Sequence, residues 1–176
     1  MEELFKGKKF EIMREILSNP DREIHVRNIA KSTRASAGSV SIVLNLLRRM
    51  GIVKKKQVVL ESPLTRSFKS FINVSLLSGL VSRMRKSFFS IGIGVYGSWQ
   101  KGTNNKQSDV DLWVIVEKYP DAFAIAKLRT EIRNKLNSEP SFLFLTSEKI
   151  SEMKIKNPQL YYSLYHSLAL WGVQID

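Results

Sequence analysis

Cysteine is absent from the 176-residue chain, which excludes disulfides, thiolate zinc sites and a cysteine nucleophile. No apolar run approaches the roughly 18 to 20 residues needed to cross a bilayer. The first residues, Met1 to Lys9, are charged and lack the apolar stretch of a signal peptide. These absences lead us to expect a soluble cytoplasmic protein with no membrane partner. Acidic residues are scarce: 16 Asp and Glu stand against 28 Lys and Arg, a net charge of +12. Such an excess favours a polyanionic partner, nucleic acid before any other. The hydrophobic fraction of 43% supports a packed core, and the length suits one ordinary domain or two small ones.

The first sixty residues read as helices. Phe10, Met13, Ile16 and Leu17 recur at helical spacing, and Asn19-Pro20-Asp21 ends the run. A second helix is expected over His25 to Ser32, with Val26, Ile29 and Ala30 inward. Ser36 is suited to cap a third, which buries Val40, Val43, Leu44 and Leu47 and stops at Met50-Gly51. Two short strands, Ile52-Val53 and Val58 to Leu60, flank a lysine turn. This order of elements resembles the winged helix-turn-helix family over about residues 8 to 62. The outer face of the third helix then carries Gly38, Ser39, Ser41, Asn45 and Arg48. Small residues near the helix start allow close approach to a groove, and Ser36 is counted with them among the nucleic-acid-binding residues. Serine and asparagine can reach base edges, and Arg34 or Lys31 can hold phosphates. Lys54, Lys55 and Lys56 occupy the position of a wing. The partner expected is DNA or RNA.

Pro63 suits a helix start, and a long amphipathic pattern follows. Phe68, Phe71, Ile72, Leu76, Leu80 and Met84 are its apolar positions, and Gly79 is a candidate bend. It is expected to connect two modules.

The segment Ile91 to Val116, IGIGVYGSWQKGTNNKQSDVDLWVIV, contains two motifs. Gly92-x-Gly94-x-x-Gly97 matches a dinucleotide fingerprint, which requires an apolar crossover helix after the glycines. Residues 98 to 108, SWQKGTNNKQS, have no apolar residue after Trp99, so that reading fails. Gly92 and Gly94 instead alternate with Ile91, Ile93 and Val95 on a strand whose bare face is closely packed. In the second motif, Asp109 and Asp111 start a strand-forming run and project to one side. Two such carboxylates suit a divalent cation, Mg²⁺ in the first place, completed by substrate phosphates. Gly97-Ser98 ends the preceding strand, offering backbone N–H groups and a hydroxyl to phosphate.

YGSWQKGTNNKQSDVDLWVIV resembles the signature of the polymerase-β-like nucleotidyltransferases, in particular their minimal members, over about residues 88 to 146. Gly97, Ser98, Gly102, Ser108, Asp109, Asp111 and Leu112 fall in register. The resemblance implies that Gly97, Ser98, Lys101, Gly102 and Ser108 bind a nucleoside triphosphate. It implies that Asp109 and Asp111 are catalytic ligands of Mg²⁺ or Mn²⁺. The reaction would transfer a nucleoside monophosphate to an acceptor, with pyrophosphate leaving. The sequence departs from the family in two places. Trp99 stands where a basic residue is usual; it is expected to stack on a base or to pack, packing being the commoner fate of an aromatic. The family's third carboxylate falls at about Ser141, a neutral residue, with Glu139 two positions earlier across Pro140.

A helix over Asp121 to Leu136, a strand over Glu139 to Leu145, a short helix capped by Ser147 and a last helix from Pro158 to Trp171 complete the reading. The expected fold is α+β, with a winged helix-turn-helix over 1–62, a connecting helix over 63–88 and a small α/β nucleotidyltransferase-like domain with a mixed sheet over 89–176. Three functions follow: an active nucleotidyltransferase holding a nucleic-acid or protein acceptor, a DNA-binding regulator that binds nucleotide without transfer, or a toxin–antitoxin component. The oligomeric state stays open, a homodimer included.

Overall fold

The computed structural model describes residues 7–176. The charged start of the chain lies largely outside them, so the expectation about a signal peptide has no structural counterpart. Contacts group the chain into two units that meet between Ile72 and Asn73.

The N-terminal unit consists of three helices and a hairpin, followed by the first turns of a fourth helix. Helix α1 (Gly7–Ser18) buries Ile12, Met13, Ile16 and Leu17. Helix α2 (Val26–Thr33) ends at Arg34, whose φ of 50° is left-handed. Helix α3 (Ala37–Arg49) begins where the Ser36 side chain accepts the Ser39 N–H at 3.1 Å. It buries Val40, Val43, Leu44 and Leu47, the stripe expected from their spacing. Gly51, at φ 71°, provides the turn after it. Strands β1 (Val53–Lys54) and β2 (Gln57–Val58) pair antiparallel, each lying one residue nearer the turn than expected and β2 one residue shorter. Their two-residue turn places Lys55 at φ 54°.

Helix α4 (Pro63–Phe88) is continuous through Gly79. Its buried stripe includes polar residues that an apolar pattern cannot foresee: Thr65, Lys69 and Asn73 are all below 3% exposed. Leu77 is buried, whereas Phe71 is half-exposed. Lys69 donates from Nζ to the Leu17 carbonyl at 3.0 Å, capping the last turn of α1. Burial pulls its pKa down to about 8, against the opposing charge of Asp21. Because the folded pKa lies below the unfolded value, the unfolded chain binds more protons between pH 8 and 10.5, and stability rises through that window. Relative to a Lys69→Met variant, the wild-type chain should gain up to about 3 kcal/mol across it. Urea denaturation of both chains at pH 7.5 and 10 measures this, and a pH-independent difference would contradict it.

The C-terminal unit is built on a four-stranded sheet of order β5-β4-β3-β6. Strand β3 (Ser90–Val95) pairs antiparallel with β4 (Val110–Val116) and with β6 (Leu168–Gly172). Strand β4 runs parallel to β5 (Pro140–Leu145), so the sheet is mixed. A single turn of helix, α5 (Gly97–Lys101), follows β3. Helix α6 (Ala122–Leu136) links β4 to β5 and is capped by Asp121, which accepts the Ala124 N–H. One sheet face packs Ile93, Val95, Leu112 and Val114 against Leu80 and Met84 of α4 and Leu128 and Ile132 of α6. The other packs Trp113, Ile115 and Leu145 against α7 (Ser147–Lys156) and α8 (Pro158–Tyr165), through Met153, Tyr161 and Leu164.

Two expectations for the tail need correction. The cap of α7 is Thr146, which accepts the Lys149 N–H, rather than Ser147. Helix α8 ends at Tyr165, and Leu168 to Gly172 form β6 rather than two further helical turns. The spacing of Leu160, Leu164 and Leu168 suggests a continuing helix, but pairing with the free edge of β3 overrides it.

Candidate nucleotide and metal site

Gly92 and Gly94 lie within β3, not in a phosphate loop. A Cβ on Gly94 would stand 2.2 Å from the Trp113 ring, and one on Gly92 2.3 Å from the Val173 carbonyl oxygen. The bare face expected from the alternation is thus filled by a tryptophan and by backbone.

The chain leaves β3 at Tyr96, whose N–H donates to the Asp111 carbonyl at 3.1 Å. Gly97 then takes a left-handed φ of 67°, and a Cβ on it would lie 2.6 Å from Asp111 Oδ2. Gly97 therefore stands against the carboxylate of Asp111, where φ and proximity both demand glycine. Ser98 follows it in the short helix, and Gly102, also at φ 67°, closes that helix. Asp109 precedes β4 and is exposed, whereas Asp111 is half-buried on the strand. Asp111 alternates with Val110 and Leu112, which face α4 and α6, so its side chain shares a face with Trp113.

Burial, and then the neighbouring negative charge of Asp109, raise the Asp111 pKa. The Tyr96 phenol is raised in turn by burial and by Asp111. A half-buried carboxylate beside a second carboxylate is a fitting place for a cation. Among the described residues no group of three metal-ligating side chains forms. A pair of carboxylates still fits Mg²⁺, which commonly takes one or two of them together with substrate phosphates and water.

The remaining residues expected here fare differently. Lys101 is exposed. Ser108 is tied into its own loop: its Oγ accepts the Asn105 N–H at 2.9 Å and donates to Asn105 Oδ1 at 3.1 Å. Trp99 is 4% exposed and packs in the core. Ser141 pairs in register with Asp111, the position next to the acid pair. The Glu139 carboxylate is held by Arg129 and Arg133, each at 3.7 Å. Both arginines belong to α6, on the sheet face opposite Asp111.

Two further residues shape the site. Asn73, buried on α4, donates to the Trp99 carbonyl and to Asn104 Oδ1, both at 2.8 Å. It fixes α5 and the loop behind the acid pair. A polar residue at the stripe's spacing, as Thr65 and Lys69 also are, is the signal that could have found it. Tyr96 had no such local signal, since its place beside Asp111 depends on strand register.

In the N-terminal unit, Ser36, Gly38, Ser41, Asn45 and Arg48 are exposed, as are Lys31, Arg34 and the three turn lysines; Ser39 is half-buried. The Ser36 Oγ is engaged with Ser39, as the cap of α3. Arg48 donates to Asn45 Oδ1 at 3.3 Å and to the Lys55 carbonyl at 3.4 Å, tying α3 to the hairpin. From Ile24 to Leu60 the chain has eight lysines and arginines and no aspartate or glutamate.

The chain belongs to the nucleotidyltransferase domain family, whose model matches residues 77–165. Two solved structures are similar to it. A mutant of the toxin–antitoxin MntA-HpeT shares 18% identity at a TM-score of 0.42, over 55% of this chain and 74% of that one. A toxin–antitoxin with AMP-PNP shares 19% at a TM-score of 0.41, over the same fractions. No curated protein sequence matches. No helix among the described residues is long and apolar enough to cross a membrane.

Proposed function

We propose that the C-terminal unit binds a nucleoside triphosphate with a divalent cation and transfers its nucleoside monophosphate to an acceptor. The observation that supports this most is the seating of Gly97 against Asp111, which joins the Gly97-Ser98 turn and the acid pair into one site. In this reading Gly97 and Ser98 bind the triphosphate, Lys101 approaches it from the exposed end of α5, and Asp109 and Asp111 hold Mg²⁺ or Mn²⁺. Gly102 and Ser108 shape the loop between them. The metal, when bound, would neutralise charge on the phosphates and the leaving pyrophosphate.

The pairing of Ser141 with Asp111 favours a second reading, in which nucleotide is bound without turnover. Serine cannot serve as a carboxylate base or an anionic ligand. The two readings separate in an assay of pyrophosphate release with each triphosphate and a panel of nucleic-acid and protein acceptors. Transfer by the wild-type chain supports the first. Ser141→Asp should raise the rate at least about 100-fold, the lower end of what a positioned acid or base contributes. Binding with no release by either chain would sink the transferase reading.

We propose further that the N-terminal unit, over about residues 1–62, is a winged helix that holds nucleic acid, with α4 linking it to the nucleotide site. Three helices followed by a hairpin, and the absence of acids from Ile24 to Leu60, support this reading. Replacing Lys54, Lys55 and Lys56 by glutamate should weaken duplex binding and flatten its dependence on salt by up to about three contacts; unchanged affinity would remove the wing from the interface.

A further inference from the structure

The exposed crest of α3 carries a residue that charge and polarity do not explain. Ile42 is 62% exposed, although α3 already buries a complete apolar stripe. Gly38, Ile42, Asn45 and Arg49 follow at spacings of four, three and four, opposite Val40, Val43, Leu44 and Leu47. They form one outward ridge. Gly38 has no side chain to keep a surface away. Arg48 donates to Asn45 Oδ1 at 3.3 Å, which leaves the second lone pair of Oδ1 and the Nδ2 donor for a base edge.

We propose that this ridge reads A·T pairs in the major groove of DNA, with Asn45 on an adenine and Ile42 on a thymine methyl. The inference rests on the nucleic-acid reading of this unit and decides what that reading leaves open, DNA against RNA. The B-DNA major groove admits a helix, and its one apolar base-edge group is the thymine C5-methyl. The A-form groove of RNA is too narrow for side chains to read. An asparagine side chain matches the N6 and N7 positions of adenine, accepting from one and donating to the other. The chain from Ile24 to Leu60 has no acid, and although Glu23 pairs with Lys56 at 2.9 Å, Arg49 on the ridge and Lys54 and Lys55 in the turn give the electrostatic attraction to phosphate that such a contact needs. An isoleucine meeting a protein partner would not require that surrounding field.

The test selects binders from a randomised DNA duplex pool with the full chain, then measures affinities on the enriched sequence. We expect adjacent A·T pairs to be enriched. Replacing the contacted thymine by deoxyuridine, which removes only the methyl, should weaken binding about three- to fivefold. Ile42→Ala should bind both duplexes equally, at the weaker affinity. Asn45→Ala should lose about tenfold at the adenine while keeping the salt dependence of the wild-type chain. Salt-dependent duplex binding with no A·T preference, or equal binding to duplex RNA, would overturn the inference and leave the nucleic-acid reading standing. Failure to bind any nucleic acid at low salt would overturn both.

Discussion

Gly94→Ala is expected to destabilise the C-terminal unit by about 2 to 4 kcal/mol. The new Cβ would stand 2.2 Å from the Trp113 ring, far inside van der Waals contact. Trp113 is 1% exposed, and its Nε1 donates to Ser167 Oγ at 2.6 Å. The ring therefore cannot yield without losing a buried hydrogen bond and disturbing its packing on Ile115, Tyr161 and Leu164. Overpacking of this kind typically costs about 1–3 kcal/mol, and the broken bond about 1 more. Equilibrium urea denaturation followed by tryptophan fluorescence measures the loss. Combining Gly94→Ala with Trp113→Leu should recover part of it, because the clash is with the ring itself. A loss under about 1 kcal/mol would show that the strand does not depend on glycine there.

The second large effect concerns function. Replacing Asp109 and Asp111 together by asparagine should weaken Mg²⁺-dependent nucleotide binding by about 100-fold or more, since a metal on phosphate contributes several kcal/mol. The same change should not harm the fold. Burial and the charge of Asp109 raise the Asp111 pKa, so its contribution to stability is present at low pH and lost as pH rises through the folded value. At neutral pH the ionised group opposes folding, and a neutral amide of the same shape should leave thermal stability unchanged or higher. Anisotropy of a fluorescent nucleotide and a melting curve, taken on the same preparation, separate the effects. Loss of both binding and stability would mark the pair as structural.

Much of this architecture was legible locally. The spacing of Val40, Val43, Leu44 and Leu47, with Ser36 before and Gly51 after, defines α3 from its own residues. The alternation of Gly92 and Gly94 with isoleucine and valine places them on a strand. What could not be read depends on partners distant in sequence. Strand β6 continues a leucine spacing that looks helical, and only the open edge of β3 makes it a strand. Glu139 shares a sequence neighbourhood with Ser141, yet its carboxylate turns to Arg129 and Arg133 across the sheet. Lys69 and Asn73 sit in an apolar stripe because the Leu17 and Trp99 carbonyls need donors there. Ile42 stands out only once the buried face of α3 is complete without it.

The central proposal is that the acid pair and the Gly97-Ser98 turn form one metal-dependent nucleotide site. Calorimetric titration of the full chain with each nucleoside triphosphate, with Mg²⁺ and with chelator in its place, tests that claim most directly. At least one triphosphate should bind with Mg²⁺ and lose most of its affinity without it. Binding of equal strength in both conditions, or none to any triphosphate, would contradict it.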